Sequence, residues 1–226
     1  LDFYYLYQLI TWLQNYENGI ILPWNRKETT AMDQPLLCNM KKRLVVGMSG
    51  ASGAILAIQL LEIMKQQHDW ETHLVISKGA EMTIAQETDY SLPQVQQLAD
   101  VTYDIEDFGG SIASGTFRTE GMIILPCSMK TVAGIASGYS DNLMLRAADV
   151  TLKERRTLVL VARESPLSSI HLRNMLTVTE AGAYIMPPVA PYYSGIHNLD
   201  ELHLQIIGKL LDRFGIELSG YRRWCK

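Results

Sequence analysis

The strongest constraint in this sequence is a strand signal that runs straight into glycine. Leu44-Val45-Val46 is a short apolar run, and Gly47-Met48-Ser49-Gly50-Ala51-Ser52-Gly53 follows it at once. An uninterrupted apolar run of that length suits a strand buried on both faces. Small residues after it let the backbone turn tightly and approach a ligand closely, and the next helix offers N–H groups to an anion. Residues 54–67 supply that helix, with Leu56, Ile58, Leu60, Leu61 and Met64 on helical spacing. Ser49 and Ser52 add hydroxyl donors. The loop is not a Walker loop, because it has no Gly-Lys-Ser/Thr ending. Nor is it a clean dinucleotide fingerprint, because Ser77 stands at the end of the next strand where an acidic residue is required. Two readings remain: a phosphate-binding first turn of an α/β enzyme, or a plain strand–helix turn.

The alternation continues down the chain. Further strands are expected over 72–77, 121–125, 157–161 and 183–186, and helices over 81–87, 92–99, 129–137, 143–155, 168–180 and 199–214. Pro126 is expected to stop the strand before it, and the Gly/Ser/Thr-rich stretch 104–119 reads as a functional loop. Such alternation implies a three-layer, Rossmann-like α/β fold with a mainly parallel sheet flanked by helices. Ligands in such folds bind beyond the carboxyl ends of the strands, near the switch point, so residues just after strands matter most.

Composition narrows the partners. The 226 residues are enough for one sizeable domain, and 47% hydrophobic with 19% charged residues is ordinary for a globular protein. A net charge of -4, with no basic block, argues against nucleic-acid binding. The three cysteines, Cys38, Cys127 and Cys225, are scattered and odd in number, which suits a reducing compartment and a cytoplasmic location. The five histidines show no ligand-like pairing, so no metal is expected. The apolar stretches are too short for a transmembrane segment. Residues 1–39 differ in character from the remainder of the chain. They read either as an upstream extension ahead of a native start at Met40, or as an amphipathic helix serving as an oligomer or membrane-surface contact with a polar linker. Residues 40–226 form the domain.

Three clusters carry chemistry. The first is the 47–53 turn with Ser77. The second is Pro126-Cys127-Ser128-Met129-Lys130-Thr131, where Ser128, Lys130 and Thr131 at a helix start make an anion-friendly nest. Ser128 is also a natural N-cap, and Cys127 reads as a small buried thiol rather than a nucleophile. The third is Arg163-Glu164, a candidate general acid/base beside an anion ligand, with a structural ion pair as the alternative. Arg146, Asp149, Lys153 and Glu154 share one helix at spacings that permit surface salt bridges. His171 reads as structural.

Taken together these motifs resemble the UbiX-type flavin prenyltransferases, a family that includes the B subunits of phenolic-acid decarboxylase systems. The resemblance runs from about Met40 to Trp224. Besides the three clusters it includes His73-Leu74-Val75-Ile76-Ser77-Lys78, Glu87-Thr88, Ser114-Gly115-Thr116-Phe117, Arg146-Ala147-Ala148-Asp149-Val150, Leu152-Lys153-Glu154-Arg155-Arg156, His171-Leu172 with Asn174-Met175, and Arg222-Arg223-Trp224. It implies a flavoprotein fold and the transfer of a dimethylallyl group from dimethylallyl monophosphate to N5 and C6 of reduced FMN. The prenylated FMN would serve a UbiD-type decarboxylase, in ubiquinone biosynthesis or aromatic-acid decarboxylation.

By position, the resemblance assigns FMN to Gly50, Ala51, Ser52, Ser77, Ser128, Met129, Lys130, Thr131 and Arg163. It assigns the prenyl phosphate to Tyr193 and Lys209, helped by Arg146, Lys153 and Ser114. Glu164, Glu87 and Ser52 are the candidates for proton handling. It also implies a homo-oligomer with shared sites and a donor that needs no metal. Phe108-Gly109-Gly110 departs from the bulkier aromatic loop of some members, and the chain stops just past Arg222-Arg223-Trp224. Two other functions stand beside this one. A flavin-dependent cysteine decarboxylase would need a Pro-Ala-Ser-Ala-Asn-Thr stretch and a catalytic histidine, which are missing. A non-catalytic flavin carrier would not need Arg163, Glu164, Tyr193 and Lys209 together.

Overall fold

The computed structural model describes residues 41–224; the leader expected over 1–39 lies outside the described residues. In chain order the elements are β1 (Lys42–Met48), α1 (Ala54–Met64), β2 (Trp70–Ile76), α2 (Lys78–Glu87), α3 (Leu92–Gln96), β3 (Val101–Tyr103), β4 (Gly121–Cys127), α4 (Met129–Ser137), α5 (Leu143–Lys153), β5 (Thr157–Ala162), α6 (Ser169–Glu180), β6 (Tyr184–Ile185) and α7 (Leu199–Leu211). The strands form one six-stranded sheet in the order β3-β2-β1-β4-β5-β6, and each neighbouring pair is parallel.

Strand periodicity divides the core into two layers. In β1, Leu44, Val46 and Met48 enter one cluster with α1 and α7, while Val45 enters the other with α5. The first layer also receives Ala80 and Ile84 of α2 and Val95 of α3; the second receives Val132 of α4 and Val178 of α6. Helices therefore cover both faces, which is why the central strands read as unbroken apolar runs. Helix α1 is apolar around most of its circumference because it lies under α7 as well as on the sheet.

The structure corrects several expected boundaries. A sixth strand, β3, pairs with β2 at the sheet edge; three residues are too few to show a period. Pro126 does not stop its strand. β4 continues to Cys127, and the pairing with β5 shifts register between Ile124 and Cys127, where proline has no N–H for the ladder. Helix α2 starts at Lys78 rather than Glu81 because Ser77 caps it. Helix α5 ends at Lys153, and Arg155 just beyond it has a φ of 58°. Among the described residues no helix is long and apolar enough to cross a membrane.

Candidate active site

The chain leaves β1 toward β2 and β3, then returns to β4 on the other flank of β1, so the switch point lies between the carboxyl ends of β1 and β4. Ser49, 1% exposed, ties those ends together. Its hydroxyl donates to the Pro126 carbonyl at 3.0 Å and accepts from the Ser128 N–H at 2.8 Å, and its own N–H donates to Pro126 at 3.1 Å. Ser49, expected as a ligand donor, thus clips the strand ends together and also lines the cavity that opens there. Next to it, a Cβ on Gly50 would lie 2.9 Å from the Cα of Gly79. Two backbones meet there, and no side chain fits between them.

A cavity of about 340 Å³ opens at this switch point, within the size range of small-molecule sites, about 300–1,000 Å³. Its lining includes the N-cap residues of three helices: Ser77 of α2, Ser128 of α4 and Asn142 of α5. Each cap is made. Ser77 accepts from Ala80 N–H at 3.2 Å, Ser128 from Thr131 N–H at 3.3 Å, and Asn142 from Leu145 N–H at 3.0 Å. Three helix starts place the positive ends of three backbone dipoles around one space. Lys78 and Lys130 add positive charge and Glu106 and Asp141 negative charge, so the backbone helix starts carry the preference for an anion, while Ile105 and Met144 provide an apolar wall. The arrangement suits a ligand with an anionic end and an apolar body.

The helix start nearest in sequence behaves differently. The first N–H groups of α1 are not free for an anion, because the Glu87 carboxylate accepts from Gly53 N–H at 2.8 Å and Ala54 N–H at 3.1 Å. Partial desolvation works to raise the Glu87 pKa. The Gly53 N–H, the Ser52 hydroxyl and the Ala54 N–H, with the charge of Arg163, overcome it and hold the carboxyl below its usual range. Glu87 is therefore ionised at neutral pH and can accept a proton but not supply one. Arg163 is anchored by its N–H to the Cys127 carbonyl at 3.1 Å. Glu164 accepts from Ser165 N–H at 3.0 Å and is exposed, and among the described residues it forms no ion pair with Arg163. Cys127 is wholly buried, and burial pushes its thiol pKa far up, as a structural thiol requires.

A second cavity, of about 140 Å³, brings Tyr193 and Lys209 together. Its walls include Pro187, Val189, Ile206 and Leu210, with Gln205 and Tyr221 as further polar residues, so a lysine, two tyrosines and a glutamine line a space with apolar walls. The third group, Ser114 with Arg146 and Lys153, lines neither cavity. Arg146 donates to the Ala113 carbonyl at 3.2 Å and pairs with Asp149 at 2.6 Å, and Lys153 pairs with Glu154 at 2.5 Å. Arg156 donates to the carbonyls of Phe117 at 2.8 Å and Gly115 at 2.7 Å, which fixes the loop carrying Ser114.

Comparison with known proteins gives this geometry a context. The profile of the Flavoprotein family matches residues 33–210. The flavin prenyltransferase UbiX of Escherichia coli K12 is 52% identical over 185 residues, covering 81% of this chain and 98% of the relative. The chain belongs to the UbiX-like flavin prenyltransferases. Among solved structures, AnUbiX in complex with FMN and dimethylallyl pyrophosphate superposes with a TM-score of 0.80 at 51% identity, over 82% of this chain and 98% of that one. A dodecameric FMN-dependent UbiX-like decarboxylase from Escherichia coli O157:H7 also gives 0.80, at 48% identity over 81% and 100%.

For a UbiX-like chain, the expected residues fall into separate groups. Gly50, Ser77, Ser128, Lys130 and Thr131 share the first cavity. Ala51, Ser52, Glu87 and Arg163 lie outside its lining, with Ser52 and Arg163 both acting on the Glu87 carboxylate. The Met129 side chain is in the core, which leaves only its main chain to the site. His171 completes a capping box with Ser168 on α6. Sequence reasoning missed Gly79 and Asn142. The second carries a readable signal, an Asn directly before an apolar helical run; the first becomes visible only when Gly50 is seen against it.

Proposed function

We propose that this chain is a flavin prenyltransferase that transfers a dimethylallyl group from dimethylallyl monophosphate to N5 and C6 of reduced FMN. The observation that carries this reading is the cavity ringed by three capped helix starts, beside a separate Tyr193–Lys209 cavity with apolar walls. The first suits a flavin phosphate, with Gly50, Ala51, Ser52, Ser77, Ser128, Met129, Lys130, Thr131 and Arg163 as the residues that hold FMN. The second suits a small prenyl phosphate. FMN, when bound there, would supply the nucleophilic ring atoms. As the allylic C–O bond breaks, the phosphate leaves with the electron pair, and the Lys209 ammonium and Tyr193 hydroxyl meet that charge. The apolar walls keep water from the allyl fragment. The N5 proton lost as the first bond forms and the C6 proton lost as the second forms each need an acceptor, and the prenyl double bond must gain a proton before C6 can attack it. Glu164 would take and return these protons, with ionised Glu87 and Ser52 as a second route.

Ser114, Arg146 and Lys153 cannot serve the Tyr193–Lys209 cavity as part of its own lining. We assign them to a site shared between copies in a homo-oligomer. Ile170, Leu172 and Leu176 on α6, with Val189 and Tyr192, leave an exposed apolar face that such assembly would cover. The product would pass to a UbiD-type decarboxylase. The test is direct: reduced FMN and dimethylallyl monophosphate are incubated with the protein and the flavin is weighed by mass spectrometry. A C5H8 increment is expected. Bound FMN that stays unmodified with both the monophosphate and the pyrophosphate donor would defeat the proposal.

A further inference from the structure

The carboxyl-terminal end of the described chain is held by one buried side chain. Gln205 on α7 is 4% exposed and uses both ends of its amide on the same segment. Its Nε2 donates to the Gly220 carbonyl at 2.9 Å, and its Oε1 accepts from the Arg222 N–H at 2.9 Å. Between those two anchors, Tyr221 lies across α7 where Gly208 has no side chain. A Cβ there would come within 2.7 Å of three Tyr221 atoms. Beyond them, the Arg222 guanidinium donates to the Ser194 carbonyl and the Trp224 ring meets Tyr193 edge-on at 5.4 Å. Tyr221, Gln205 and Tyr193 all line the second cavity. Residues 220–224 thus reach that cavity through Tyr221, and Gln205 is the point where this segment joins the fold.

We propose that Gln205 is a positioning residue that docks residues 220–224 over the Tyr193–Lys209 cavity and so sets the affinity for the prenyl phosphate. The proposal rests on reading that cavity as the prenyl-phosphate site. Gln205 spends both ends of its amide on the tail backbone, so its loss alters the wall, and it is not among the residues that line the first cavity. Gly220 and Arg222 are exposed residues, so once the amide is removed their backbone groups can pair with water instead, and the tail loses its two anchors on the helix.

The test uses the full-length, FMN-loaded protein with Gln205→Leu and the milder Gln205→Glu, which keeps the acceptor for Arg222 N–H but loses the donor to Gly220. Hydrogen exchange of the peptide spanning Tyr221 to Trp224 reads docking; KM against kcat for dimethylallyl monophosphate reads its consequence. Gln205→Leu is expected to lose protection at Arg222 and to raise KM by roughly tenfold, with kcat and FMN affinity within about twofold. Gln205→Glu should fall between Gln205→Leu and the unsubstituted protein on both scales. Unchanged protection in both variants overturns the docking role, and lost protection with unchanged KM overturns the wall. Lys209→Ala, measured alongside, separates the two claims. If it too leaves KM unchanged, the cavity is not the prenyl-phosphate site. If it raises KM while Gln205→Leu does not, only the proposal for Gln205 fails.

Discussion

The two cavities hold charge with different materials. The first is made from the starts of α2, α4 and α5, where strand ends and capped helices fix the backbone donors before a ligand arrives, with the exposed Lys78 and Lys130 beside them. The second is made from the chain between β6 and α7, one face of α7 and Tyr221, with an exposed Tyr193 and an exposed Lys209 among its polar residues. Backbone N–H groups at helix starts cost no side-chain entropy to hold in place, whereas a long lysine and a tail must be ordered. The first cavity is therefore a rigid seat, and the second is a wall that can yield.

Glycine substitutions break this comparison most sharply. Gly50→Val would push a side chain against the Gly79 backbone, 2.9 Å from the Cα even at the first carbon. Neither backbone can swing aside without moving a strand end. Overpacking of this kind costs about 1–3 kcal/mol of stability, and relieving it moves the 47–53 turn out of the geometry that receives FMN, so FMN affinity should fall by roughly tenfold or more. Gly208→Ala meets only the Tyr221 side chain and the tail that carries it. It should leave FMN binding within about twofold while raising KM for dimethylallyl monophosphate by several-fold. Fluorescence titration with FMN and steady-state kinetics check both. Equal effects of the two variants on FMN would erase the distinction between seat and wall.

The same difference explains what could be read from the sequence. The rigid cavity announces itself locally: an apolar run, a glycine-rich turn, and Ser77 and Ser128 before helices are all contiguous patterns with a physical cause. The capping of α1 by Glu87 was hidden, because that carboxylate comes from the far end of another helix. The yielding cavity has no local signature. Tyr193 and Lys209 were legible only through the family resemblance, and Gln205 looks like any polar residue on a helix until the tail folds back onto it. Edge strand β3 escaped for the same reason, since its support comes from β2 rather than from its own three residues.

Glu87 gives a smaller effect that sharpens the seat. Glu87→Gln keeps an oxygen near Gly53 and Ala54 but removes the negative charge at the start of α1. Charge at a helix terminus is worth about 0.3–1 kcal/mol at an exposed site, so Tm should drop by roughly 1–4 °C. The sign with pH comes from the lowered pKa of this carboxyl. Its contribution is complete above the ordinary carboxylate pKa and is lost as pH falls through the lower folded value. The variant should therefore match the unsubstituted protein in strong acid and diverge from it as pH rises. A constant offset at every pH would show that the carboxylate is not what steadies α1.

The loop that carries Ser114 is the intermediate case, an irregular segment held by Arg156 on one side and by a packed aromatic on the other. Phe117 from that loop stands edge-on to His73 at 5.1 Å, and Arg43 lies over its other side at 4.5 Å. His73 is 2% exposed and bridges Glu71, at 2.6 Å, and the Tyr103 hydroxyl, at 2.9 Å. Burial lowers its pKa, although Glu71 and Asp100 pull the other way and Arg43 adds to the lowering. A histidine held neutral in the fold is protonated first in the unfolded chain. Its stabilising contribution is then complete above the unfolded value of about 6.5 and declines as pH falls toward the lower folded value. His73→Gln should flatten the stability profile in that window, with little change above pH 7 beyond the loss of ring packing. Denaturant midpoints collected from pH 7.5 down to 5 decide it. A profile that keeps its slope would mean that Glu71 holds His73 charged in the fold, and that the Ser114 loop rests on an ion pair instead of an apolar stack.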